Sequence, residues 1–425
     1  MTAARVHRRQ FLKSAAAAAA VAFPTPLVAQ GAGPPVVVIG GGFGGASCAR
    51  ALRKTDPRIA VTLIEANATY TALPHSSAVI AGLAELKHQQ FGYDGIKRAG
   101  VNVVLSSATA IDPQARSVTL ADGTKLDYER LVLSPGIEFR GGAIQGYDRA
   151  AMAVMPPAWN DGAEVGLLHR QLEAMADGGT VVIASPVNPA RCPPAPYERA
   201  SLIACYLKAK KPRSKVIVLD AKESFTMQKL FETAWQELYP GLVEWIGLSN
   251  GGALSSVDAA TKTLSTDFDK YKAAVANVIP PQQAGRVAVL AGVADRTGWC
   301  PVDPATFLSR LQPNIHVIGD AAIAGAMPRS AAAAQSQARI CAAAIATLLA
   351  GKTPAPPTLT SSCYSLIAPD YAISQKGTYR PVDDQYAEAE GGAVISPQGA
   401  PRAARQAEAH EAGAWYRSIT GAVFG

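Results

Sequence analysis

Three metal- and haem-binding patterns are missing from this 425-residue chain: CxxC, CxxCH and HxxxH do not occur. Their absence excludes c-type haem attachment and a cysteine-rich zinc centre. No internal apolar run approaches the ~18 residues that a membrane-crossing helix needs. Charge is also scarce, at 17% of residues, and the net +7 is concentrated at one end. Arg5, Arg8, Arg9 and Lys13 carry four positive charges and no acid precedes Asp56; the rest of the chain has 36 basic against 33 acidic side chains. A residual +3 gives no argument for nucleic-acid binding. Only one complete GxGxxG is present, and no cysteine lies between Cys48 and Cys192.

What is present begins with Arg8-Arg9-Gln10-Phe11-Leu12-Lys13, an alanine-rich run to Ala22, and Pro24 and Pro26. This order of arginine pair, short apolar stretch and proline exit reads as a twin-arginine export signal over residues 1–30, cleaved near Ala29 to Gly31. That route delivers folded proteins to the periplasm, often with their cofactor inserted. With 48% hydrophobic residues over this length, the remainder can bury more than one core.

The run Val36-Val37-Val38-Ile39 predicts a buried strand feeding Gly40-Gly41-Gly42-Phe43-Gly44-Gly45, a helix from Ala46 to about Lys54, and a second strand, Ala60 to Ile64, ending at Glu65. A strand before, a helix after and an acid 20 residues past Gly45 supply the full context of a dinucleotide site. Gly40, Gly42 and Gly45 let the backbone approach a pyrophosphate at a helix N-terminus, and Glu65 suits the adenosine ribose. Further strands end at Ser134-Pro135-Gly136 and at Gly319-Asp320, the latter before an alanine-rich helix from about Pro328 to Leu349. A second unit starts with the strand Gly178 to Ala184 and continues with Lys215 to Asp220. In place of its glycine loop stand Ser185-Pro186-Val187-Asn188 and then Arg191-Cys192-Pro193-Pro194-Ala195-Pro196-Tyr197-Glu198-Arg199. With no small-residue turn to admit a pyrophosphate, direct NAD(P)H oxidation is disfavoured.

The strands ending at Ser134-Pro135-Gly136 and Gly319-Asp320 resemble the later fingerprints of two-dinucleotide-domain FAD oxidoreductases. The chain as a whole resembles the flavoprotein subunit of flavocytochrome c sulfide dehydrogenase, including the related flavoprotein of periplasmic sulfur oxidation. Asn188 to Arg199, Val278-Ile279-Pro280-Pro281-Gln282, Gly298-Trp299-Cys300-Pro301-Val302-Asp303, Gly319-Asp320 and Cys363 to Tyr371 carry the likeness. It implies an α/β fold with two Rossmann-like dinucleotide-binding domains of the three-layer ββα type and a C-terminal α+β interface domain. The expected division is an FAD domain in two pieces, 31–155 and 285–355, a degenerate NAD-binding-like domain at 156–284, and the C-terminal domain at 356–425. It further implies FAD bound through Gly40, Gly42, Gly45, Glu65, Ser134, Gly136, Gly319 and Asp320, a redox-active disulfide between Cys192 and Cys363, and Glu198 as an acid-base group. The partner implied is a c-type cytochrome subunit or a soluble cytochrome c, with sulfide as substrate and no metal.

Several readings remain open on the residues themselves. Glu198 also reads as an N3 helix residue behind Pro196 at N1. Cys48 and Cys341 read as buried small hydrophobes; so do Cys205 and Cys300, with room left for a second bridge. The basic run Lys208 to Arg213 reads as a solvated helix end rather than a dock for an acidic partner. In the flavocytochromes a cysteine bonds the 8α carbon of FAD, and Leu73 takes its place here. FAD is therefore expected without a covalent bond, or with another linkage for which His75 is at hand. Alternatives to the dehydrogenase are a sulfide:quinone oxidoreductase, disfavoured because Trp415 to Phe424 is a short and poorly amphipathic anchor, and a flavoprotein accessory that reactivates a sulfur-oxidising complex.

Overall fold

The computed structural model describes residues 33–425; the export signal expected over 1–30 lies outside them. The apolar run after Pro34-Pro35 forms β1 (Pro35–Ile39), followed by α1 (Phe43–Thr55) and β2 (Ala60–Glu65). Two later strands, β3 (Asn102–Leu105) and β4 (Arg130–Leu133), flank this unit in the order β4-β1-β2-β3. Every pairing is parallel, with Val36 to Ile39 of β1 in register with Val61 to Ile64 on one side and Arg130 to Leu133 on the other. Parallel strands covered on both faces read as continuous apolar runs, which accounts for the sequence of β1. Its four residues Val36 to Ile39 are all buried.

The second unit begins after α2 (Gly162–Ala174) with β5 (Thr180–Ser185), α3 (Ala195–Lys210) and β6 (Lys215–Asp220). After α4 (Gln228–Leu238) come β7 (Val243–Ile246) and β8 (Val275–Val278), giving a parallel sheet in the order β7-β6-β5-β8. The chain then returns to the first sheet: β9 (Ile315–Val317) pairs in parallel with β4, and α5 (Ala331–Leu349) packs against α1. A long antiparallel pair, β10 (Leu359–Ala368) and β11 (Tyr371–Val382), follows the Pro-rich stretch from Pro354 to Pro357.

The last element differs from its expectation. The stretch Trp415 to Phe424, read as too short and poorly amphipathic for an anchor, is the end of a 23-residue helix, α6 (Arg402–Phe424), whose Ile419, Val423 and Phe424 are buried. Phe424 stacks on Phe91 and Tyr70, with ring centroids at 5.0 and 5.2 Å, and meets the edge of Phe43 at 5.7 Å. Arg50 of α1 donates to the carbonyls of Val423, at 3.2 Å, and Gly425. Among the described residues no helix is long and apolar enough to cross a membrane.

The basic run at the end of α3 is exposed at Lys208, Lys210 and Arg213, as expected, with Lys211 the exception. Lys211 Nζ is buried and donates to the carbonyls of Leu172, Glu173 and Met175 at the end of α2. Lys208 caps Leu238 of α4 at 2.8 Å, and Arg213 pairs with Asp177. Cations at helix C-termini satisfy orphan carbonyls and meet the dipole favourably. Replacing Phe424 by Ala is expected to cost about 3 kcal/mol or more, the range for emptying a buried aromatic site, read as a lower midpoint in urea unfolding.

Candidate functional site

The order in which strands are added reverses at β1, between β4 and β2, so a crevice opens beyond the carboxyl ends of these parallel strands. A single cavity of about 730 Å³ occupies it. Gly40, Gly42, Glu65, Ser134, Gly136, Gly319 and Asp320 all line it, as do Cys192 and Glu198. Gly45 does not line it. A Cβ at Gly45 would stand 1.8 Å from the Gly40 carbonyl oxygen, so this glycine serves the close approach of helix to loop. Gly40 itself has φ +102°, a conformation that excludes side chains. The Glu65 carboxylate accepts from the backbone N–H groups of Gly41, at 2.7 Å, and Asn67, at 3.0 Å.

His75 is not among the residues that line the cavity, whereas Leu73 is. The His75 ring lies against Tyr416 of α6, at 4.8 Å between centroids, and burial there holds it down at about 4.

The other end of the cavity is built by the cysteine-bearing segment. Cys192 has φ +51°, a left-handed conformation that costs a non-glycine residue roughly 1–2 kcal/mol. Two hydrogen bonds hold it: its N–H donates to the Arg329 carbonyl at 2.7 Å, and its carbonyl accepts from Ala195 N at 2.9 Å. The helix α3 starts at Ala195 with Pro194 as its cap, so Glu198 is the fourth helical residue rather than N3. Its carboxylate does not cap the helix. It accepts the backbone N–H of Leu366 in β10 at 3.1 Å, which ties the strand carrying Cys363 to α3.

Cys363 lies outside the cavity lining, but its charge is felt at Cys192, and Glu198 acts on both sulfurs. Burial drives both thiols up, Cys192 strongly and Cys363 to about 11. Burial also lifts the Glu198 carboxyl to about 7, against the opposing pull of the Leu366 N–H and Arg199. No S–S bond joins any of the six cysteines in this structure. Cys48 and Cys341 are buried where α1 meets α5.

Arg191 and Arg199, quoted in the motif but given no role, prove structural to the site. Arg191 lines the cavity, faces Asp320 at 3.9 Å and anchors through its N–H to Gln282 at 2.8 Å. Arg199 is fully buried; its guanidinium donates to the carbonyls of Pro157 and Ala158 and to Asn277 Oδ1 at 2.7 to 3.0 Å, and packs over Trp159. These bonds fix Ala158 and Trp159 in the cavity wall. The partners of Arg199 lie 41 to 78 residues away in sequence, so no local signal marks this arginine as buried.

At the matching end of the second sheet, the crevice is filled. Tyr197 stacks on Phe225 at 3.6 Å and donates to Asp220 Oδ2 at 2.5 Å. Asp220, which ends β6 as Glu65 ends β2, also accepts from Trp245 and Lys222 and is wholly buried. The residue that would take a ribose has become the centre of a polar plug.

Comparison with known proteins gives four family matches. Residues 165–280 match the central part of the sulfide dehydrogenase [flavocytochrome c] flavoprotein chain, and 355–424 match the flavocytochrome c sulphide dehydrogenase flavin-binding family. Residues 34–156 match pyridine nucleotide-disulphide oxidoreductase, and 5–24 match the twin-arginine translocation signal. The flavoprotein chain of sulfide dehydrogenase from Chlorobaculum thiosulfatiphilum is 59% identical over 44 residues, 10% of this chain and 92% of that sequence. Mitochondrial sulfide:quinone oxidoreductase of Mus musculus is 22% identical over 299 residues, 67% of this chain and 65% of the mouse protein's length. Among solved structures, the sulfide:quinone oxidoreductase of Aquifex aeolicus superposes with a TM-score of 0.72 at 17% identity, covering 92% of each chain. At that identity the likeness speaks for the fold alone.

The signal directs the protein to the periplasm, and the cofactor is FAD. The cavity fits it: at Gly40 a side chain would collide with Ser134, and the carboxylates of Glu65 and Asp320 both line the space. With the second crevice plugged by Tyr197 and Asp220, NADH or NADPH mixed anaerobically with the protein is expected to leave the flavin absorbance unchanged; rapid bleaching would contradict that reading.

Proposed function

The chain belongs to the family of the flavoprotein chain of flavocytochrome c sulfide dehydrogenase, and from that premise we propose that it is a periplasmic FAD-dependent sulfide dehydrogenase using Cys192 and Cys363 and passing electrons to a c-type cytochrome. The observation that carries this reading is the meeting of three residues. Cys192 and Glu198 stand in the wall of the dinucleotide cavity, and the Glu198–Leu366 hydrogen bond draws the strand of Cys363 against them. In the oxidised pair, hydrosulfide attacks one sulfur, the S–S bond breaks, one cysteine becomes a persulfide and the other leaves as a thiolate. Bound FAD supplies an acceptor for an electron pair that can be released singly, as a haem partner requires.

The protein's own groups prepare that exchange. Glu198, protonated below about pH 7, can hold a proton close to both sulfurs and yield it as charge develops. Arg191 is the cation that favours thiolate at Cys192, opposing the burial that disfavours it. Cys192, Glu198 and Asp320 face one space, so sulfur chemistry and flavin share a wall. In this reading FAD is held without a covalent bond, since Leu73 lines the cavity where a linking cysteine would stand.

A quinone acceptor is supported less well. The buried apolar residues at the end of α6 pack on Phe43, Tyr70 and Phe91 and so are not a free membrane-binding face. Reduction of cytochrome c by sulfide with the purified protein separates the dehydrogenase from a quinone reductase and from an accessory without turnover. Cys192→Ser and Cys363→Ser should each abolish flavin bleaching by sulfide while the bound flavin spectrum persists; full bleaching in either variant would remove the cysteine mechanism. Glu198→Gln should slow bleaching by roughly two orders of magnitude, the scale of a lost acid-base group. Because hydrosulfide itself ionises near neutrality, the informative comparison is between profiles. The wild type should show a limb near pH 7 that Glu198→Gln lacks.

A further inference from the structure

Arg191 and Cys192 are held as a unit by consecutive backbone anchors. The Arg191 N–H donates to Gln282 Oε1 at 2.8 Å, and the Cys192 N–H to the Arg329 carbonyl at 2.7 Å. With Cys192 at φ +51°, both residues border the dinucleotide cavity, whereas an extended backbone would send their side chains to opposite sides. The guanidinium is fixed as well. Its Nη2 donates to the Trp159 carbonyl and to Asn160 Oδ1 at 3.1 Å, two further residues of the cavity wall. Among the described residues its Nε and Nη1 have no hydrogen-bond acceptor, and Asp320 Oδ2 stands 3.9 Å from Nη1, beyond hydrogen-bonding distance. The side chain lines the cavity and keeps 19% of its surface, so those donors are available to a ligand.

We propose that Arg191 is the anion-receiving group of the cysteine pair: its unused guanidinium donors take a small sulfur anion, hydrosulfide in the sulfide reaction, and hold it in the cavity beside Cys192. An anion entering a wall that includes Ile39, Leu73 and Ala334 loses hydration, a cost that a matched cation offsets. Guanidinium suits the task because it is weakly hydrated and presents its donors in a rigid plane. The local charge has the right sign. Arg191 and Arg329 both act on Asp320, two cations against one carboxylate, and Glu198 is uncharged below about pH 7. Arg191 also lowers the Cys192 thiol against its burial, so its charge reaches the sulfur. The exchange conserves the anion: hydrosulfide forms the new S–S bond, the Cys192–Cys363 bond breaks, and the negative charge passes to the departing thiolate. The guanidinium therefore faces one negative charge before the step and after it.

This role rests on the cysteine pair being the reaction centre, but its test needs no turnover. In the FAD-loaded Cys363→Ser protein, Cys192 is alkylated at one pH by iodoacetate, an anion, and by iodoacetamide, its neutral counterpart, and both rates are followed by peptide mass spectrometry. The two reagents meet the same thiolate, so the ratio of their rates cancels its ionisation and reports the charge beside the sulfur. At low salt the iodoacetate-to-iodoacetamide ratio should exceed that of an unstructured cysteine peptide by roughly tenfold, the scale of one unit charge at close range in a partly solvated site. Arg191→Gln should bring the ratio down to the peptide value, and Arg191→Lys, which retains the charge, should keep it high. A ratio equal to the peptide's before Arg191 is changed would overturn the assignment. So would a Gln variant that keeps the high ratio with its flavin spectrum preserved, or a Lys variant as low as Gln. If the ratios behave as expected while sulfide fails to bleach the wild-type flavin, the functional reading falls and the anion site stands.

Discussion

The site depends on one buried contact, the acceptance of the Leu366 N–H by the Glu198 carboxylate. Without it, β10 would be tied to α3 by packing alone. The bond has an electrostatic consequence as well. A carboxyl group drawn into an apolar contact between a helix and a strand loses hydration, and the loss exceeds the stabilisation from one amide donor, so the group stays protonated into the neutral range. A single placement therefore positions a strand and tunes an acid. Cys192 is set by the complementary device, a left-handed residue fixed by the carbonyl of Arg329, so both sulfurs take their positions from neighbours distant in sequence.

The two parallel sheets show how the same topology can be opened or closed to a nucleotide. After β1, glycines with no Cβ let α1 approach the loop and leave the crevice empty of side chains. After β5, Pro193, Pro194 and Pro196 replace them, and the helix that follows carries Tyr197 into the space a second nucleotide would need. Asp220, Lys222, Trp245 and Tyr197 satisfy one another there, so the burial of charge is compensated. Filling the crevice also stiffens the start of α3, the element that presents Glu198 and adjoins Cys192.

Much of this was legible from local sequence. The run Val36 to Gly45 announced strand, loop and helix because each depends on near-neighbour chemistry: β-branched residues, glycines at close approaches, an acid at the next strand end. Where meaning depended on distant partners, the sequence was silent. Glu198 read equally as a helix-terminal residue, and only the position of Leu366, 168 residues on, decides between capping and strand contact. Lys211 looked like surface charge because its acceptors are carbonyls of another segment. His75 looked available for a linkage because nothing local indicates that Tyr416 covers its ring.

The docking of α6 bears on the order of events during biosynthesis. Phe43 and Tyr70 line the dinucleotide cavity and rest on Phe424, and Arg50 grips a carbonyl 373 positions downstream. The glycine loop emerges early from the ribosome, yet the aromatic backing of its pocket is translated hundreds of residues later. Residues 33–156 alone can present the loop but not the finished wall. The aromatic backing of the pocket is thus complete only once the C-terminal helix has docked against Phe43 and Tyr70.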